Sequence, residues 1–359
     1  MNRSENFFLT KKGIVLTGLT IGAFGALLQK FGNPGNMGLC IACFVRDITG
    51  ALGLHRASAV QYIRPEIIGI ILGAFIASST GKEFRARSGS APMIRFLLGF
   101  FAMTGCLVFL GCSWRMVMRL AGGDVNAIAG LVGFIAGIAK GVWYNKSGFN
   151  LGKSSETRTF AGMIFPVIAV GLLILLFLDP KLPSGAVFTS ESGPGSMKAP
   201  IFIALSAAIV IGFLAQKTRF CTVGAFKNVI HLRDYNMFIG ILMFFAGALI
   251  VNIFTGPFNF GVQNQPIAHT SILWNFGGML LAGLAFTLGG GCPGRHIVLS
   301  GQGNCDSGIF VIGMFAGAAF AHNFNIAATP AGVSIWGQGT VLFGLTVCNY
   351  IGRSFRLKS

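Results

Sequence analysis

The sequence predicts an all-α integral membrane protein, built as two inverted repeats of about five transmembrane helices each, plus two short re-entrant helices per repeat, with an hourglass shape. Three observations predict it. Apolar residues make up 53% of the 359 and charged residues 10%, with a mean hydropathy of +0.72, which a water-soluble domain of this length does not tolerate. A motif recurs at an offset of 180 positions, as Gly111-Cys112-Ser113-Trp114-Arg115 and Gly291-Cys292-Pro293-Gly294-Arg295, and the register continues through Gly133 and Gly313. A second echo lies upstream, where Gln29-Lys30 leads to Cys40 and Gln216-Lys217 leads to Cys221; the spacings Cys40 to Cys112 and Cys221 to Cys292 agree to within one residue.

Ten segments approach the roughly 20 apolar residues that a helix needs to cross the hydrocarbon. They are about 13–29, 66–80, 92–111, 125–145, 160–178, 200–216, 235–255, 271–290, 306–322 and 335–351. The first has no small-residue cleavage signature after it and reads as a retained span. Four further stretches, about 38–53, 112–121, 219–232 and 292–301, are too short to cross, are rich in Gly or polar residues, and hold the repeated cysteines. They read as re-entrant half-helices, which are tolerated at membrane depth where protein or a cavity surrounds them. The domains follow as 1–178 for the first repeat, 179–199 for an outer linker and 200–359 for the second repeat. The linker, with Pro180, Pro183, Gly185, Gly193, Pro194 and Gly195, reads as mobile.

Five crossings per half is an odd number, so the second half is expected upside down relative to the first. With both termini cytoplasmic, most of the 27 Lys and Arg fall in cytoplasmic segments, at 3–12, 82–95, 140–158, 217–233, 295 and 353–358. The outer loops 256–270 and 323–334 contain none, as the positive-inside rule expects. The formal charge of +17 is therefore a topology signal and not a nucleic-acid footprint; the lipid bilayer is the expected partner. Eight cysteines without an extracellular domain do not make a secreted disulfide framework.

A cysteine at the first turn of a helix faces unpaired backbone N–H groups and the positive end of the helix dipole, and both favour anions and thiolate. Cys112 and Cys292 fit this position, each after a glycine and three residues before an arginine, Arg115 or Arg295. Cys221 follows Arg219-Phe220 and precedes Lys227, and Cys40 has Cys43 and Arg46 at comparable spacing. Cys40 and Cys43 read equally as a redox pair or a packing coincidence, while Cys106, Cys305 and Cys348 read as small apolar residues. Of the histidines only His296, beside Arg295, draws attention. No acidic residue falls mid-span, which argues against a carboxylate proton relay. Asp124, Asn126, Asn304 and Asp306 read as N-caps, and Trp114, Trp143, Trp274 and Trp336 as interfacial anchors.

At Arg219-Phe220-Cys221-Thr222-Val223-Gly224-Ala225 and Gly289-Gly290-Gly291-Cys292-Pro293-Gly294-Arg295 the chain resembles the YeeE/YedE family of bacterial sulfur-compound transporters, and both halves carry versions of these motifs. The resemblance implies an inner-membrane importer of thiosulfate or a related sulfur species, not an enzyme and without a cofactor, with cysteines along a central path. Cys112 and Cys292 match the paired glycine-cysteine positions, Cys221 the Arg-Phe-Cys position, and Cys40 is its first-half counterpart. The longer approach to Cys40, from Phe31 to Leu39, and the added Cys43 resemble the YedE branch linked to selenium metabolism, which leaves thiosulfate and reduced selenium species open as substrates. It also suggests a cytoplasmic SirA/TusA-like sulfurtransferase partner.

The resulting expectation is a path on which Arg46 and Arg115 attract an anion at the outer funnel. Cys40 or Cys43, Cys112, Cys292 and Cys221 then pass it through the neck, and it leaves near Arg295, Arg219 and Lys227. Several weak contacts conduct where one tight site traps. The rival readings are a membrane thiol-disulfide oxidoreductase, a passive channel for small anions, and a thiol-dependent metal importer, the last disfavoured because no cysteine–histidine cluster has ordinary ligand spacing.

Overall fold

The computed structural model describes residues 7–178 and 187–356. Among them the chain forms α1 (Lys11–Lys30), α2 (Ile41–Ala51), α3 (Pro65–Thr80), α4 (Pro92–Phe109), α5 (Ser113–Ala121), α6 (Asn126–Lys146), α7 (Thr159–Leu178), α8 (Ile201–Lys217), α9 (Thr222–Leu232), α10 (Asn236–Thr255), α11 (Ile272–Gly289), α12 (Pro293–Gly301), α13 (Cys305–Asn323) and α14 (Ile335–Ser354). The ten long and four short helices lie where the hydropathy put them. Eight helical stretches among the described residues, three of them a long helix joined to the short one that follows it, are long and apolar enough to cross a membrane. The two exceptions are α3, with 16 residues, and α14, whose apolar run is broken by Gln338, Asn349 and Arg353. The fold is not purely helical: Arg87–Ser88 and Ser155–Glu156 pair as a short antiparallel ladder.

The long helices pair in a pattern that survives shifting every helix seven places along the chain. α1 packs on α10 and α3 on α8, while α6 packs on α11 and α13 on α4. The reason is small residues that let backbones approach. A side chain at Gly133 of α6 would collide with the Phe276 carbonyl of α11, and one at Gly313 of α13 would collide with the Phe96 carbonyl of α4. Both members of the second contact stand 180 positions from those of the first. Gly137 on Leu280 and Gly317 on Phe100 repeat the relation one turn on. The last helix of each half keeps it in part: α7 on α13 matches α14 on α6, but α7 also lies against α3 and α12, whereas α14 lies against α11 and α4.

Several sequence expectations are corrected by tertiary partners. The described part of the linker, 187–199, is pinned: the Arg64 guanidinium donates to the Pro194 and Met197 carbonyls, Ser190 bonds Gln61 twice, and Ala199 N–H donates to Asn33 Oδ1. Pro180, Pro183 and Gly185 lie outside the described residues. Trp114 is not an interfacial anchor but fully buried, whereas Trp143 and Trp336 are exposed. Of the four expected N-caps, Asn304 caps α13 by accepting from Ser307 N–H. Asp306 instead accepts from the N–H groups of Gly89 and Ser90. Asp124 forms an ion pair with Arg119 at 2.6 Å and accepts from Asn126, whose own side chain reaches the Val262 carbonyl. For Asp306 and Asn126 a partner distant in sequence outcompetes the local cap, and for Asp124 the nearby Arg119 does.

Candidate functional site

All four short helices start on a cysteine. Cys40, Cys112, Cys221 and Cys292 are the N-cap residues of α2, α5, α9 and α12. An N-cap residue has extended backbone and offers its side chain to the orphan N–H groups of the first turn, a task normally given to oxygen. Here sulfur accepts: Cys43 N–H donates to Cys40 Sγ at 3.3 Å, Gly224 N–H to Cys221 Sγ at 3.2 Å and Arg295 N–H to Cys292 Sγ at 3.4 Å. Cys112 makes no such cap bond. The fold thus gives four thiols the positive end of a short helix dipole.

The thiols form two groups. Cys40 Sγ lies 3.9 Å from Cys112 Sγ and accepts from Cys43 N–H at 3.3 Å. In the second half, Cys292 N–H donates to Cys221 Sγ at 3.4 Å. The residues following one cysteine of each group join them, because Ser113 Oγ and Thr222 Oγ1 share a hydrogen bond of 2.7 Å. Packing closes around this junction. The Trp114 indole stands edge-on to Phe220 and Phe244 and fills the space over Gly294. Cys40, Cys43, Cys112 and Cys292 have no exposure, and Cys221 is 8% exposed.

The two motif arginines are placed differently. Arg115 is buried and donates to the backbone carbonyls of Asn36, Leu110, Pro266 and Ile267, so it fastens the 259–267 loop and the approach to Cys40. Arg295 lines a cavity of about 440 Å³ with Lys82, Arg85, Arg87, Arg219 and Glu83, and its Nη1 atom is buried without a hydrogen-bond partner. Gln216, beside Lys217 in the repeated dipeptide, donates to Glu83 Oε2 at 2.6 Å on the cavity wall. Arg219 is exposed in the left-handed backbone region that lets the chain turn from α8 into the Cys221 cap. Lys227 sits half-buried on α9, within electrostatic reach of Cys221.

Arg46 lies on the Cys43 side, buried, with Nε and Nη2 on Asp47 Oδ1 at 2.9 and 2.7 Å. Asp47 Oδ2 is taken by Arg64 at 2.7 Å. Sequence reasoning singled out neither Asp47, Arg64, Ser113, Thr222 nor Glu83. The repeated Gln-Lys dipeptide was the available signal for the cavity wall; the others depend on contacts that no local pattern encodes. Among the described residues no group of three or more Cys, His, Asp or Glu is arranged to hold a metal ion.

Residues 217–345 match the model of a family described as Sulphur transport. The matched segment holds Cys221, Cys292, Arg219, Lys227 and Arg295, and supports the resemblance to the YeeE/YedE transporters read from the motifs. A comparison with curated proteins yields no match.

Proposed function

We propose that this protein imports a small sulfur-containing anion, thiosulfate or a related reduced sulfur or selenium species, across the bacterial inner membrane along a path of thiols. The observation that carries the reading is the meeting of four helix-capping cysteines in two groups linked by Ser113 and Thr222. A thiol is a weak donor and a polarisable acceptor, and at a helix N-terminus it presents a soft, positively biased contact to an anionic sulfur compound. Such contacts release as readily as they bind, which a multi-site path needs. The burial of the cysteines supports a gated path in preference to an open pore.

The exchange of helix partners between halves supports the reading of 1–178 and 200–359 as inverted repeats that form an hourglass, with 179–199 as the outer linker and both termini cytoplasmic. On this reading Arg46 guides the anion at the outer mouth, Arg115 holds the outer neck together, and the cavity at Arg295 and Arg219 receives the anion before release, with Lys227 beside Cys221. A cytoplasmic SirA/TusA-like sulfurtransferase fits as the recipient. Radiolabelled uptake in cells lacking other sulfur importers, with thiosulfate, selenite, selenate and sulfate in competition, tests the reading. Thiosulfate or selenium uptake that vanishes in Cys292→Ala while membrane insertion persists is the expected result, and uptake surviving that change rejects the thiol path.

The 3.9 Å separation of Cys40 and Cys112 favours a second reading, a thiol-disulfide oxidoreductase. Forming that disulfide releases two electrons and two protons and requires an external acceptor. Isolation from growing cells with the pair oxidised, and no sulfur uptake, would support it.

A further inference from the structure

A proton carried with an imported anion offsets one unit of its charge against an inside-negative potential, and three buried aspartates have fixed partners. Asp47 is held by Arg46 and Arg64, Asp124 by Arg119, and Asp306 by two backbone N–H groups. Glu66 accepts from Asn33 Nδ2 at 2.6 Å through one oxygen, its other oxygen being buried and unpartnered. A histidine pair also stands on the Arg46 side. His55 and His322 stack at 4.6 Å between ring centroids. His55 is committed as a neutral ring: Ala57 N–H donates to its Nδ1, which leaves Nε2–H to donate to the Arg46 carbonyl at 3.1 Å. His322 Nε2 is buried with no hydrogen-bond partner.

From this geometry we propose that His322 is the loading site for a proton cotransported with each imported anion, an inference that rests on the transport reading above. The groups around the ring are His55 from the loop after α2 and Arg46 from α2, with Asp47 beside Arg46. Arg46 stands one helical turn after Cys43 on α2, and its carbonyl accepts from the His55 ring that stacks on His322. A proton on His322 therefore faces a fixed positive charge, and a passing anion at Cys43 removes that opposition. Anion and proton favour each other's binding by the same factor, which is the linkage that symport needs. No bond is made or broken beyond the N–H itself: the proton comes from outer water, rides Nε2 and leaves to inner water. His296 gives the cavity side a comparable base, with Nδ1 on Ser307 of α13, Nε2 buried and unpartnered, and the ring stacked on Phe310 at 3.8 Å.

Purified protein in liposomes, with the potential clamped at zero by a potassium ionophore, tests this with labelled thiosulfate and a trapped pH dye. With the outside one pH unit more acidic, wild-type protein is expected to accumulate thiosulfate about tenfold, the ratio that one coupled proton supports, and to acidify the lumen as it does so. His322→Gln is expected to equilibrate thiosulfate without accumulation, while Glu66→Gln keeps accumulating. Wild-type uptake that ignores the gradient and brings no proton overturns the inference while leaving the transport reading intact. Accumulation retained in His322→Gln, or lost in Glu66→Gln alone, also overturns it. No thiosulfate or selenium flux under any gradient rejects the transport reading itself, and the inference with it.

Discussion

The indole of Trp114 lies over Gly294, the residue that occupies the same place in the second copy of the motif. A Cβ at Gly294 would stand 2.6 Å from Trp114 Cζ2. The repeat thus puts its largest side chain against its smallest where α5 meets α12, and the asymmetry lets two otherwise matching helix starts approach. Two tryptophans would not fit, and two glycines would leave a void beside the thiols.

Gly294→Ala should therefore behave as overpacking at the neck. It is expected to destabilise the protein by about 1–3 kcal/mol and to reduce uptake. Trp114→Ala alone is expected to cost about 3–5 kcal/mol as a cavity, and adding it to Gly294→Ala should cost less than the sum of the two singles, because the new methyl group then meets open space. Thermal unfolding in detergent for the two single variants and the double variant checks this. A fully stable Gly294→Ala protein would mean that the helices separate without cost.

The hydrogen bond between Ser113 and Thr222 is the direct polar link between the two thiol groups. Interhelical hydrogen bonds in membrane proteins couple by about 0.6 kcal/mol on average, up to roughly 1.7. Ser113→Ala and Thr222→Val should each slow uptake several-fold, and the double variant should be no worse than the poorer single. Initial uptake rates for the four proteins measure the coupling. Strictly additive losses would show that the two hydroxyls act apart.

Cys40 and Cys112 need only a small displacement to cross-link, since a disulfide sets its sulfurs about 2.05 Å apart and they now lie at 3.9 Å. Treatment with a copper-phenanthroline oxidant should join them and stop uptake, and dithiothreitol should restore it. Mass mapping of the joined peptides, with Cys112→Ser as control, decides the outcome. Unimpaired uptake by fully cross-linked protein would remove this pair from the path.

Much of this molecule is legible from hydropathy and spacing. The boundaries of α1, α10 and α12 fall within about two residues of their expected places, and Cys112 and Cys292 stand at helix starts as the flanking glycines and arginines suggest, a position that Cys40 and Cys221 share. Local pattern fails where the deciding partner comes from the other half. Trp114 reads as an interfacial anchor because nothing nearby reveals Gly294. Asp306 reads as a cap because Gly89 and Ser90 are distant in sequence. The linker looks mobile by its Pro and Gly content, yet Arg64 holds 194 and 197 by their carbonyls, a contact encoded in three-dimensional position alone.

The same limit separates Arg115 from Arg295, which the repeated motif treats as one residue. Arg115 satisfies four backbone carbonyls, and its removal leaves buried acceptors unpaired at roughly 1–3 kcal/mol each. Arg295 has a buried Nη1 without a partner, on the wall of a cavity whose other charged groups are Lys82, Arg85, Arg87, Arg219 and Glu83. Arg115→Ala is therefore expected to lower the melting temperature sharply and to yield little folded protein. Arg295→Ala should melt near the wild-type temperature, because the side chain is only half-buried, lines a cavity and leaves Nη1 without a partner, while uptake falls about tenfold for each 1.4 kcal/mol of anion attraction removed. Arg295→Lys should recover part of that uptake by restoring the charge, and Arg115→Lys should not recover stability, since a lysine ammonium cannot reach carbonyls spread around a planar guanidinium. Melting curves and uptake rates for the four variants check the division, and matching phenotypes at the two positions would refute it.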